Sequence, residues 1–112
     1  MRYTIQTDRL VRHFMDLVAI DSPTCGERQM ADRLTADLRA LGFTVEEDDA
    51  AVKLGGNAGN LYGYLPGRED LPPLLLSAHM DTVAPAFGKR AILEPDGTIH
   101  SEDILQDTDF HK

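Results

Sequence analysis

The sequence predicts an α/β fold, two helices followed by a mixed sheet, on three observations. Two amphipathic segments with helical spacing occupy residues 8–41, and strand-like runs fill most of the remaining chain. One of these runs, Leu74-Leu75-Leu76-Ser77-Ala78, is apolar until it ends in His79-Met80-Asp81. A continuous run of that kind after Pro72-Pro73 reads as a buried parallel-type strand, since a half-exposed strand would alternate.

The first helix has Asp8 or Thr7 as its cap and Leu10, Val11, Phe14, Met15, Leu17 and Val18 as one apolar stripe. It stops at Ile20-Asp21-Ser22-Pro23, where proline forbids continuation. The second helix runs from about Gly26 to Leu41, with Met30, Leu34, Leu38 and Leu41 as its stripe. Gly42 stands where a left-handed C-cap residue belongs. Phe43-Thr44-Val45-Glu46 alternates as a strand does, and Asn60–Leu65 forms a second strand closed by Pro66-Gly67. Between them, Gly55-Gly56-Asn57-Ala58-Gly59 lacks the Gly-Lys-Ser/Thr ending of a phosphate loop and precedes a strand, so it reads as a turn. The segments Ile92–Glu94 and Thr98–His100, joined through Pro95-Asp96-Gly97, predict a hairpin.

Side chains alternate faces along a strand, so His79 and Asp81 emerge on the same side of its carboxyl end, where open α/β sheets bind ligands. An imidazole and a carboxylate placed there suggest a metal ligand and an acid that fixes the ring's tautomer. One ligand does not make a zinc site, because catalytic zinc takes three protein ligands plus water. Cys25, Ser22 and Ser77 match no nucleophile pattern, and His13 lies among helix residues. His100 and His111 fall in an acidic tail with Glu102, Asp103, Asp107 and Asp109, which reads as a solvated face.

The 112 residues suffice for one modest domain. A formal charge of −8 argues against a nucleic-acid partner and against an anionic membrane surface. The single cysteine, Cys25, rules out an intramolecular disulfide and points to a reducing compartment. With no signal-peptide core at Met1-Arg2-Tyr3-Thr4 and no run of about 20 apolar residues, a cytoplasmic protein is expected.

Several segments, in order and spacing, resemble the amino-terminal part of the zinc exopeptidases that include peptidase T, carboxypeptidase G and the aminoacylases. The closest likeness is to the peptidase T-like tripeptidase branch. The segments are Leu17–Thr24 with Gly26-Glu27-Arg28, then Gly55–Leu61, Leu65-Pro66-Gly67, and Ser77-Ala78-His79-Met80-Asp81-Thr82-Val83. Together they span roughly residues 8 to 101.

The resemblance implies that residues 1–112 are the N-terminal portion of a zinc-exopeptidase-like catalytic domain. The complete protein would then be a metallopeptidase hydrolysing short peptides, as a tripeptide aminopeptidase does, with two zinc ions. By motif, His79 is a ligand to one zinc and Asp81 the acid that orients and polarises it. In such a site the ions lower a water's pKa and polarise the scissile carbonyl, and a glutamate takes the proton.

Residues 102–112 depart from the family's Gly-Ala-Asp pattern, so no bridging role passes to Asp107 or Asp109. The 112-residue chain is accordingly expected to be an incomplete, inactive fragment. An open apolar strand edge would give it a route to self-association. A second reading of the same residues is a small non-catalytic α/β binding or interaction module retaining part of the fold.

Overall fold

A computed structural model describes residues 2–85 and 87–102. Its elements are α1 (Thr7–Val18), α2 (Arg28–Ala40), β1 (Thr44–Glu47), α3 (Ala50–Leu54), β2 (Leu61–Tyr64), β3 (Ala91–Leu93) and β4 (Ile99–Ser101). The α/β class stands, but in place of the expected mixed sheet the strands of the described residues form two separate antiparallel pairs, β1–β2 and β3–β4. The chain divides into two compact units, one within Ser22–Ala86 and one within Met1–Asp21 and Phe87–Lys112.

In the first of these units, α2 packs against both strands of the β1–β2 pair. Met30, Ala31 and Val45 are its buried apolar residues. Leu34 and Leu38 are half-buried and Leu41 is exposed, so the helix stripe is buried on its amino-terminal side. The helix begins at Arg28, two residues after the expected Gly26. Its exposed first N–H donates to Asn57 Oδ1 at 3.0 Å, so a loop side chain serves as the cap. The C-terminus is a Schellman motif. The Phe43 N–H reaches the Leu38 carbonyl at 3.0 Å and the Gly42 N–H reaches that of Arg39 at 3.0 Å, with Gly42 at φ +96° as predicted.

β1 and β2 pair from Thr44↔Tyr64 to Glu47↔Leu61. Ahead of the Gly55–Gly59 turn, the connection between them contains the five-residue helix α3, too short for a periodic pattern to reveal. Asp48 starts it by accepting the Ala50 N–H at 3.1 Å, and also takes the Asn60 N–H at 2.7 Å, the Asn60 side chain at 3.0 Å and the Tyr62 hydroxyl at 3.2 Å. The glycine-rich loop is thereby lashed to β1. Gly59 is required there: a Cβ at this position would overlap the Asp48 carbonyl oxygen.

No strand forms at 74–78, contrary to expectation, because the segment has no ladder partner among the described residues. Leu74, Leu75 and Leu76 are 84%, 89% and 83% exposed. Composition records a segment's suitability for burial, whereas burial itself requires a neighbouring strand or helix.

In the other unit, α1 starts at Thr7, with Gln6 at the cap position and no side-chain cap bond, so neither Asp8 nor Thr7 caps it. Val11, Met15, Leu17 and Val18 are half-buried, while Leu10 and Phe14 stay exposed. β3 and β4 form the predicted hairpin, displaced by a single residue at each strand, with Ile92 opposite His100. Asp21 accepts the Gly88 N–H at 2.9 Å. Among the described residues no helix is long and apolar enough to cross a membrane.

Candidate functional site

The carboxyl end of the apolar run reaches an open groove of about 780 Å³ within the Ser22–Ala86 unit. Its lining includes Thr24, Cys25, Tyr62, His79, Met80 and Asp81. The expected pair is in contact, with His79 Nδ1 2.8 Å from Asp81 Oδ1. His79 is 84% exposed and Asp81 only 34%, so the ring projects while its acid is held back.

Thr24 does the holding. Its hydroxyl donates to Asp81 Oδ2 at 2.6 Å, so each carboxylate oxygen has its own partner. The Thr24 bond, and after it the His79 ring, keep the Asp81 carboxyl below its ordinary value. An ionised carboxylate only accepts, which puts the shared proton on Nδ1 and leaves Nε2 with the lone pair. An imidazole in that tautomer is a metal donor or a general base.

The backbone around Asp81 is fixed from both sides by Ser22, which is fully buried. The Ser22 hydroxyl donates to the Met80 carbonyl at 2.9 Å, and the Ser22 carbonyl accepts the Thr82 N–H at 2.8 Å. Pro23 and Gly26 then turn the chain so that Thr24 faces the carboxylate, the Gly26 N–H reaching the Pro23 carbonyl at 2.8 Å. Cys25 sits in this turn at φ +68°, an uncommon conformation for a residue with a side chain, and its N–H donates to Glu27 Oε1 at 2.6 Å.

Ser22 is thus structural, in keeping with the absence of a nucleophile pattern around it. Thr24 is the site residue that sequence reasoning missed. It stands within the Leu17–Thr24 segment, but nothing local signals a contact 57 positions away.

Beside the groove, Arg28 forks onto Glu47, Nη2 to Oε1 at 2.6 Å and Nη1 to Oε2 at 2.8 Å. Glu47 is held at about 2 by Arg28 and then by the Gly59 N–H. Asp48, with its bonds from Asn60 foremost, is also held at about 2. Both carboxylates are occupied in binding the loop and are unavailable for proton transfer. His100 lies in the other unit, where its Nε2 meets Glu94 Oε1 at 2.6 Å. Asp103, Asp107, Asp109 and His111 lie outside the described residues. Among the described residues no group of three His, Cys, Asp or Glu side chains could hold a metal.

No protein-family model matches the chain. Its backbone superposes on a tripeptidase from Staphylococcus aureus with a TM-score of 0.84 and 38% identity, over 89% of this chain and 27% of that one. It superposes on aminopeptidase PepT from Bacillus cereus with a TM-score of 0.83, again at 38% identity, over 88% of this chain and 26% of that one. The chain matches the amino-terminal part of peptidase T-like tripeptidases.

The sequence is also similar to curated proteins. Uncharacterized protein YqjE of Bacillus subtilis is 36% identical over 90 residues, 80% of this chain and 24% of its own length. A probable carboxypeptidase of Talaromyces marneffei is 35% identical over 88 residues, 76% of this chain and 19% of its own. The chain therefore spans only about a quarter or less of the proteins it matches.

Proposed function

We propose that this chain supplies one ligand and its orienting acid to the active site of a zinc-dependent peptidase. The complete protein would remove residues from the amino end of short peptides, tripeptides foremost. The observation that carries this is the His79–Asp81 contact of 2.8 Å at the edge of an open groove. The donor chemistry suits zinc, because a neutral imidazole with its Nδ1 proton on a carboxylate offers a basic nitrogen to a borderline-soft ion.

His79 would hold the ion and Asp81 would fix the ring. Zinc so bound supplies Lewis acidity toward a scissile carbonyl and lowers the pKa of water. The protein's own contributions are orientation of the imidazole, retention of its proton on Nδ1, and a groove open to an extended peptide. The tripeptide preference is supported by the two structural neighbours, a tripeptidase and an aminopeptidase. A cytoplasmic setting is supported by the lone Cys25.

The described residues bring together no group of three His, Cys, Asp or Glu side chains that could hold a metal, so the 112-residue chain by itself is assigned no turnover. The test is hydrolysis of an alanine tripeptide by the complete protein before and after chelation. Cleavage that disappears with chelator and returns with zinc supports the reading. Metal-independent cleavage, or none from a folded complete protein, overturns it.

A further inference from the structure

We propose that Thr24 is a positioning residue, whose hydroxyl locks the Asp81 carboxylate in the rotamer that holds the His79 imidazole in its Nδ1–H tautomer. The inference rests on the roles proposed for His79 and Asp81, and it assigns them a third member from a distant part of the chain.

The Asp81 carboxylate is two-thirds shielded while the ring it serves is largely in solvent. A solvated imidazole gains little rigidity from its own packing, so its orientation depends on the acid. A carboxylate with a single partner can still rotate about its terminal torsion, which is broad and roughly two-fold. Two partners remove that freedom: Oδ1 faces His79 at 2.8 Å and Oδ2 receives the Thr24 hydroxyl at 2.6 Å. The second bond is charge-assisted and short.

Thr24 is itself placed by the turn that comes after Ser22. Ser22 is bonded to the residues on either side of Asp81, through the Met80 carbonyl and the Thr82 N–H. Residues 22 and 24 thus act on 80–82 at different levels, the first on the backbone and the second on the side chain. Threonine suits the task because its branched Cβ restricts χ1 and so aims the hydroxyl.

The test compares Thr24→Val with Thr24→Ser in the full chain and in the complete protein. Valine keeps the shape and removes the donor, whereas serine keeps the donor. The first readout is the His79 tautomer from long-range proton–nitrogen correlation spectra at a pH where the ring is neutral. The expected result is loss of the dominant Nδ1–H form in Thr24→Val and its retention in Thr24→Ser. The second readout is zinc affinity of the complete protein against a competing chelator. Thr24→Val is expected to weaken it about tenfold, with recovery in Thr24→Ser.

Ser22→Ala serves as the control for general loosening and is expected to lower stability without moving the tautomer. An unchanged tautomer in a folded Thr24→Val chain overturns the proposal. So does a Thr24→Ser chain that behaves like Thr24→Val, or an equal tautomer shift in Ser22→Ala. A tautomer shift as expected, in a complete protein that neither binds zinc nor cleaves peptides, leaves the positioning role standing and overturns the peptidase reading alone.

Discussion

Thr24 and Asp81 are separated by 57 positions and meet at 2.6 Å, the shortest link between the Ser22–Gly26 turn and the His79–Asp81 pair. The bond makes the acid a rigid platform for the ring. Replacing that acid by its amide, Asp81→Asn, keeps the size and removes the charge that draws the proton to Nδ1. In the complete protein this substitution is expected to lower zinc affinity or tripeptide hydrolysis by roughly 10- to 100-fold. Circular dichroism should remain that of the folded protein, because Ser22 bonds the backbone on either side of Asp81 and does not involve its side chain.

Gly59→Ala should damage the fold more than any comparable change in the loop. The added Cβ would meet the Asp48 carbonyl oxygen and approach Oδ1 at 2.6 Å. Asp48 cannot retreat easily, since its carboxylate is bonded to Ala50, Asn60 and Tyr62. A loss of about 1–3 kcal/mol is expected from such overpacking, read as a lower denaturation midpoint in urea. Gly67→Ala, with nothing within 4 Å of its Cβ, is the matched control.

The Arg28–Glu47 fork gives stability an acid limb. Glu47 titrates at about 2 in the folded protein against an ordinary 4.5, so the native state binds its proton less readily than the unfolded chain does. The stability this contributes is complete above about 4.5 and is lost as pH falls toward about 2. Denaturant midpoints measured across that window should slope downward with falling pH. Arg28→Met should make the slope shallower, leaving the smaller part that the Gly59 N–H contributes at Glu47 and the separate contribution of Asp48.

His100 carries the opposite sign. Its bond to Glu94 raises its pKa above 6.5, so its stabilising effect is present below that value and disappears as pH rises through the raised one. Both groups are about half exposed, so the effect on stability is small and the titration itself is the better observable. Proton spectra should place the His100 midpoint above 6.5, and Glu94→Gln should return it toward that value. A midpoint unmoved by Glu94→Gln would contradict the hairpin contact.

Local chemistry was legible where it acts over a few residues. Gly42 at the end of α2, the alternation of β1 and the Pro95-Asp96-Gly97 hairpin come from rules with short reach, and the structure agrees within a residue or two. The His79–Asp81 contact was legible for the same reason, being an i, i+2 pair. Contacts made across the chain were not. The capping of α2 by Asn57, the grip of Asp48 on Asn60 and the Thr24–Asp81 bond depend on which loops meet, and no spacing encodes that. The run Leu74–Leu76 shows the converse: its composition specifies an interior strand, while its exposure is set by which surfaces are present to receive it.

The Ser22 bracket also bears on the order of folding. Its bonds to Met80 and Thr82 join positions 58 and 60 residues apart, close to the two ends of the Ser22–Ala86 unit. Closing so long a loop is entropically costly and is expected to follow formation of the local helices and the β1–β2 pair. The dyad is therefore expected to assemble last, as the clasp on a unit already built. Hydrogen exchange at the Thr82 amide should consequently report the opening of that clasp, and its protection would time the arrival of the His79 site independently of any chemistry performed there.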